Sequence, residues 1–283
     1  MKKCEECGQE FETRTSKGRF CSRQCYQKFL SRNISMTSRL KVEEERTEIE
    51  LTTISDLTLA FLADVHNNFE FLKWAVDEIL KHPDWRVIIN GDLWDADQYS
   101  SHPTLTVTSL ADAVQESIKI LAPIFGQIIA FVWGNHEERC FRLPSGKGTM
   151  PSYFDLFFQA WKTINPTAVV CEPMKSLLVS INKKWRILVK HGKSAGKNFG
   201  VMEWRDVLTT NEDIDVFVLS HGHVPEWIII KRPTIEDPRE IHLVRTTSGV
   251  SFLPYQDKQN LFISPIGLTR IIFNSTKIKV ELR

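Results

Sequence analysis

Five times along this chain an apolar run of strand length ends in a tight cluster of Asp, His or Asn. "DLTLAFLADVH" ends in Asp64 and His66, "WRVIIN" runs into "GDLWD" with Asp92 and Asp95, and "QIIAFVW" runs into "GNHEER" with Asn135, His136 and Glu137. Two more follow: "KWRILVK" runs into "HGKS" at His191, and "IDVFVLS" into "HGHVP" at His221 and His223. Between the first three, "NNFEFLKWAVDEILKHP" and "SLADAVQESIKILAPIF" carry apolar residues at helical spacing, so strand, polar cluster and helix repeat as a unit. That repetition predicts an α/β fold on parallel strands. Ligands of open α/β sheets bind where strands end, so the five clusters are expected to meet in one crevice. "EIHLVRTTSGVSF" and "LTRIIFNSTKIKVEL" read as further strands, antiparallel at the sheet's edge or in a second sheet.

The clusters hold five of the chain's eight histidines. A lone strand-end histidine is more often a capped or solvated residue than a ligand. Five of them beside several carboxylates make a donor set. Carboxylate, amide oxygen and neutral imidazole suit Mn, Fe, Zn or Ni better than Ca or Mg alone, and no thiol lies among them. The sequence has no Walker-type phosphate loop and no G-x-S-x-G nucleophile elbow. Asp64, His66, Asp92, Asn135, His191, His221 and His223 are seven candidate donors, enough for two divalent ions if one carboxylate bridges. Two ions roughly 3.5–4 Å apart stabilise both the entering and the departing oxygen of a phosphoryl displacement, with a hydroxide between them as nucleophile.

In this order and at these intervals, "DVH", "GDLWD", "GNHE", "HG" and "HGH" resemble the five signature motifs of the calcineurin-like metallophosphoesterase family, across roughly residues 57 to 224. The resemblance implies a four-layer α/β fold, a β-sandwich flanked by helices. It also implies that Asp64, His66, Asp92 and His223 surround one metal, with Asp92 bridging to a second held by Asn135, His191 and His221. His136 is then the residue that protonates the leaving group or stabilises the phosphoryl charge, and Asp95 the carboxylate that orients it. "GDLWD" and "HGHVP" further resemble motifs of the SbcD-like nuclease branch. "GDLWDAD" lacks the Arg-Gly that follows this motif in phosphoprotein phosphatases, which turns the reading away from a Ser/Thr phosphatase. Ser220 stands where the last motif commonly begins with Gly, a small change. Arg139, Arg142, Lys193 and Lys197 are candidate substrate contacts, against the plainer reading of solvated charge. Trp94, Tyr99, Trp133 and Trp204 read as core residues rather than base-stacking platforms.

Four of the six cysteines fall in the first 25 residues, spaced C-x2-C, thirteen residues, C-x3-C. Cys4, Cys7, Cys21 and Cys25 thus present four thiolates to one structural zinc, a pattern that resembles treble-clef zinc ribbons. A segment this short cannot fold on apolar burial alone, so the metal is expected to supply much of its stability. Residues 1–41 carry a formal charge of +6 and the remainder −5. Arg14, Lys17, Arg19, Arg23, Lys28 and Arg32 interleave with Phe11, Phe20, Tyr26 and Phe29, which suits phosphate contact with base stacking, so DNA is an expected partner. The alternative is a solvated basic surface on a ribbon that only braces its neighbour.

The organisation expected is a Cys4 zinc ribbon at 1–31, a charged connector, helix or tether, at 32–50, and a metallophosphoesterase body at 51–283. With no signal peptide and no apolar run of membrane length, a cytoplasmic protein with no membrane contact is expected. The leading function is a two-metal phosphodiesterase or nuclease acting on nucleic acid, with Mn2+ the first choice of metal. One alternative is a small-nucleotide phosphodiesterase or phosphomonoesterase with a purely structural ribbon. Another is a non-catalytic zinc-ribbon nucleic-acid-binding protein, against which the intact donor set argues.

Overall fold

The chain divides into two units, Met1–Glu44 and Glu45–Arg283. The structure, a computed structural model, describes residues 2–4, 7–11, 21–22, 25, 46–95, 109–140, 152–173, 175–192, 213–232, 239–250 and 265–283. In the first unit β1 (Lys2–Lys3) pairs antiparallel with β2 (Glu10–Phe11). The link between them is a knuckle in which Gly8 N donates to Cys4 O (2.8 Å) and Cys4 N to Gln9 O (2.9 Å).

The second unit begins with β3 (Thr47–Leu51), β4 (Leu57–Leu62), α1 (Phe69–Leu80), β5 (Arg86–Asn90), α2 (Leu110–Leu121), β6 (Ile128–Val132) and α3 (Asn135–Arg139). It continues with α4 (Ser152–Ile164), β7 (Val169–Val170), β8 (Leu177–Ile181), β9 (Trp185–Lys190), β10 (Val216–Leu219), β11 (Glu226–Arg232), β12 (Arg239–Arg245), β13 (Thr269–Phe273) and β14 (Ile278–Leu282). Two six-stranded sheets result, one in the order β14-β13-β4-β5-β6-β7 and the other β11-β12-β10-β9-β8-β3. In the first sheet β4 to β7 run parallel; in the second, β9, β10 and β12 do.

Alternation along the strands builds the layers. Leu59 and Phe61 of β4 join Ile88, Val132, Val189 and Val218 in the core between the sheets. The intervening Ala60 and Leu62 face the other way, into a second core shared with α1, α2 and α4. The three longer helices each turn one apolar stripe inward, Phe71, Leu72, Ala75, Val76 and Ile79 in the case of α1. Helix starts are set by side chains: Asn68 accepts from Phe71 N (3.1 Å) and Ser109 from Asp112 N (3.1 Å). Trp94 and Trp133 are buried in this second core, as expected of them. A third apolar cluster, including Leu188, Phe217 and Leu243, lies on the outer face of the second sheet. Among the described residues no helix packs there; the two packed sheets, one of them flanked by helices, are the α/β sandwich expected.

Two expectations need correction. The body starts before residue 51, because Thr47–Leu51 pairs parallel with β8 as the outer strand of the second sheet. "TEIEL" alternates, half-burying Ile49 and Leu51 beside the inter-sheet core while Glu48 and Glu50 are exposed. The part of the connector at 32–45, helical or not, lies outside the described residues. The strand of "EIHLVR" meets one alternative and not the other: β12 lies in a second sheet, but between β10 and β11 rather than at an edge, antiparallel to β11 and parallel to β10. Ile241, Leu243 and Val244 are buried on both of its faces, the pattern of an interior parallel strand.

Candidate metal centre

Each polar cluster follows the C-terminal end of a parallel strand. Asp64 and His66 follow β4, Asp92 and Asp95 follow β5, Asn135 and His136 open α3 after β6, His191 follows β9, and His221 and His223 follow β10. The backbone there is contorted. Asp64, His66, Asn67, Asp92, His221 and His223 have left-handed φ of 50°, 49°, 61°, 53°, 73° and 53°. For non-glycine residues such a conformation costs on the order of 1–3 kcal/mol and persists only where surrounding contacts fix it. Two glycines make room. A Cβ on Gly91, itself at φ 79°, would sit 2.4 Å from His191 Nδ1, and one on Gly134 would sit 2.1 Å from Asp92 Oδ1.

The side chains converge on Asp92. Its Oδ2 lies 3.2 Å from His191 Nε2, 3.9 Å from His66 Nε2, 3.9 Å from His221 Nδ1 and 4.0 Å from His136 Nε2. Its Oδ1 is occupied, accepting from His136 N at 2.9 Å. Asp64 accepts from His221 N at 3.0 and 3.1 Å, and its Oδ1 is 3.9 Å from His223 Nε2. Three overlapping donor groups result: Asp64, Asp92, His191 and His221; Asp64, His66 and His223; and His66, Asp92 and His136, with donor atoms in each within 4.8 Å of one another.

Several features fit cations here. Both ring nitrogens of His66 are buried without a hydrogen-bond partner, a costly arrangement unless a cation takes the lone pair. The inward side-chain atom of Asn135 lies 3.1 Å from Asp92 Oδ2, 3.0 Å from His191 Nε2 and 2.7 Å from His221 Nδ1. With its oxygen inward, lone pairs face lone pairs, which is the arrangement a cation between them requires. With its NH2 inward, the amide makes hydrogen bonds instead and its oxygen accepts from Arg139 Nη2 (3.2 Å).

Two serines orient the imidazoles. Ser220 Oγ donates to Asn90 O (2.7 Å) and lies 2.8 Å from His191 Nδ1, so Nδ1 carries a proton and Nε2 is the nitrogen turned toward the cluster. Ser248 Oγ donates to Asp64 O (3.1 Å) and lies 3.0 Å from His223 Nδ1, with the same result for His223. Sequence reasoning passed over Ser248, which follows a strand but is neither acid, amide nor imidazole. It treated Ser220 as a harmless replacement of glycine, whereas the hydroxyl holds a donor. Glu137 was also missed as a brace. It is fully buried, and its carboxylate accepts from Asp92 N, Trp94 N and Gly134 N at 3.0, 3.1 and 3.0 Å.

Burial dominates the electrostatics. It pushes the Asp64 carboxyl up to about 6, and with Asp92's charge it pushes Glu137 up to about 7. Burial would also raise Asp92, but the charges of His191 and His136 hold it well below the usual range. His191 is the reverse case: burial works against its charged form, yet Asp92 and Asp64 raise it to about 10. Burial pushes His223 down to about 4 and His66 well below its usual value, leaving both as neutral donors.

Beside the donors, His136 Nδ1 meets Asp95 Oδ1 at 2.7 Å, leaving Nε2 toward Asp92. Burial would lower His136, but Asp92's charge and the hydrogen bond to Asp95 raise it. Asn67 Oδ1 accepts from Asp95 N (3.2 Å), tying the first motif loop to the second. Of the expected substrate contacts, Arg139 has its Nη1 3.5 Å from His136 Nδ1. Arg142, Lys193 and Lys197 lie outside the described residues, as do Tyr99 and Trp204.

In the first unit the sulfur atoms of Cys4, Cys7, Cys21 and Cys25 lie within 4.8 Å of one another, with Cys7 to Cys21 at 3.5 Å and Cys21 to Cys25 at 3.6 Å. These separations are too long for disulfides and close to the ~3.8 Å between sulfurs of a tetrahedral zinc site. Hydrogen bonding to Cys7 and Cys25 pushes the Cys21 thiol up to about 12, a cost that a bound cation would reverse.

A divalent-metal hydrolase on a two-sheet α/β sandwich is the class that this fold and site define. The calcineurin-like phosphoesterase family matches residues 57–225, and the chain belongs to that family. Its fold implies divalent metals at a two-metal centre, which the donor set accommodates. Similar solved structures include one described as an archaeal phosphodiesterase, at 12% identity over 80% of this chain and 100% of that chain, TM-score 0.44. Others are YfcE, a phosphoesterase from E. coli (15%, 80% and 93%, TM-score 0.41), and a metallophosphoesterase from Sphaerobacter thermophilus (12%, 80% and 89%, TM-score 0.39). No curated protein matches the chain in sequence.

Proposed function

We propose that this chain is a two-metal phosphodiesterase that cleaves nucleic acid. The observation that carries the reading is the place of Asp92 Oδ2, within 4.0 Å of four imidazoles drawn from four motifs. In this reading Asp64, His66, Asp92 and His223 hold one divalent ion and Asp92, Asn135, His191 and His221 the other, with Mn2+ suited to the mixed O/N donors. Ions so held supply the positive charge that polarises the phosphoryl group and readies water for attack. The chain's own groups do the rest. Asp92 fixes the spacing of the centre, and Ser220 and Ser248 keep two imidazoles turned correctly. His136, its proton held by the nearby carboxylates, donates from Nε2 to the departing oxygen. Asp95 orients that ring, and Arg139 beside it adds a positive charge for a phosphoryl oxygen.

Nucleic acid is favoured as substrate by the first unit, where the thiol cluster suits zinc and residues 1–41 carry a formal charge of +6. The test is hydrolysis of bis(p-nitrophenyl) phosphate and p-nitrophenyl phosphate with Mn2+, comparing wild type with Asp92→Asn. Preference for the diester and a loss of roughly 100-fold or more in the variant are expected; absence of Mn2+-dependent turnover overturns the assignment. Single- and double-stranded DNA are then offered to the full chain and to one lacking residues 1–44. Cleavage with unchanged salt dependence after truncation overturns the nucleic-acid role of the first unit. Turnover of dinucleotides with none of DNA would favour the small-nucleotide reading.

A further inference from the structure

Sheet edges invite pairing with other chains, and natural proteins blunt them. Here β7 is only two residues long, β3 exposes Glu48 and Glu50, and β14 carries Lys279 and Glu281. β11 differs. It is seven residues long, reads "EWIIIKR" with charges only at its ends, and has no strand beyond it among the described residues. Ile228 and Ile230 pack against the outer cluster of the second sheet. Trp227 and Ile229 are left 40% and 45% exposed, with Val224 at 41% just before the strand. The indole is not loose: it stacks on His242 at 5.9 Å and donates from Nε1 to His242 Nδ1 at 3.2 Å. Burial lowers the pKa of His242, consistent with the neutral ring that this hydrogen bond needs.

We propose that β11 pairs antiparallel with β11 of a second copy of this chain, about a two-fold axis at Ile229. The strand is its own complement in that register. Side chains of opposed residues must share a face, so a two-fold pairing has to set some residue against itself. Centred on Ile229, it sets Ile228 against Ile230 and Trp227 against Lys231, so each lysine, which within its own chain reaches Glu240 at 3.7 Å, also meets an indole across the seam. Moving the centre to Ile228 sets Trp227 against Ile229 and Glu226 against Ile230, which loses the lysine–indole match and puts a carboxylate on an apolar side chain, so the register is specified. A strand of unrelated sequence would have no such match.

The test is sedimentation of the full chain across a concentration series, with phosphodiesterase activity and melting temperature as checks on folding. Wild type is expected to dimerise. Ile229→Asp and Ile229→Lys, each setting like charges directly opposite, are expected to weaken the dimer by at least about 100-fold. An equimolar mixture of the two variants is expected to dimerise again, because residue 229 faces its own counterpart. A wild type that stays monomeric at sub-millimolar concentration, a dimer that survives Ile229→Asp, or a mixture that stays monomeric overturns the proposal. Hydrogen exchange adds a second arm: a monomer with fully protected β11 amides would mean that something other than a second copy covers the strand, which also overturns it.

Discussion

Asp95 shows how much a single carboxylate controls at the residue scale. His136 would be pulled down by burial, but Asp92's charge and the hydrogen bond to Asp95 more than offset this, so its proton is kept to higher pH. Asp95→Asn removes one of those anions and lowers the His136 pKa. The alkaline limb of the kcat profile should therefore move to lower pH, with kcat falling about 10- to 100-fold. A pH profile of wild type and variant checks this, and an unmoved limb would uncouple the pair. The nine acidic, amide and imidazole positions of the candidate site were legible in the sequence because such donors are rare at strand ends and recurred there. Ser220, Ser248 and Glu137 were not. A serine hydroxyl orients an imidazole only through three-dimensional proximity, and Glu137 spends its carboxylate on three backbone N–H groups, a role that no spacing announces.

At the scale of elements, the turn from β6 into α3 is the tightest joint. A Cβ on Gly134 would meet Asp92 Oδ1 at 2.1 Å and Asp92 N at 2.2 Å, and the second of these is backbone that cannot swing aside. Gly134→Ala should destabilise the protein by about 1–3 kcal/mol in urea unfolding and weaken metal binding measured by calorimetry. Gly126→Ala, where a Cβ meets nothing within 4 Å, is the control and should leave both nearly unchanged. The strands with uninterrupted apolar runs were legible as elements, and their order of polar endings gave the crevice. The direction of β12 was not, since "REIHLVR" mixes charge and apolar residues and its place inside the sheet depends on β10, whose paired residues lie 26 positions earlier, as Val216 does from His242. β3 was hidden by its two glutamates, which made a strand resemble a charged connector.

On the scale of the whole molecule, metal removal should couple stability to pH. His191, raised from 6.5 to about 10, contributes stability that is fully present below pH 6.5 and is lost as pH rises through 10. His136, also raised, acts in the same direction. A cation needs the unprotonated His191 Nε2, so its binding gains where the metal-free protein loses. The difference in melting temperature between Mn2+-loaded and chelated protein should widen from pH 7 to pH 9; a difference that narrows contradicts the cluster as a metal site. One further consequence comes from where the donors originate. Asp64, Asp92 and Asn135 hang from the first sheet, while His191, His221 and His223 hang from the second. A metal pair held among them is therefore a clasp across the open end of a sandwich, and any sliding of one sheet over the other is felt at once as a change in the grip on the phosphate.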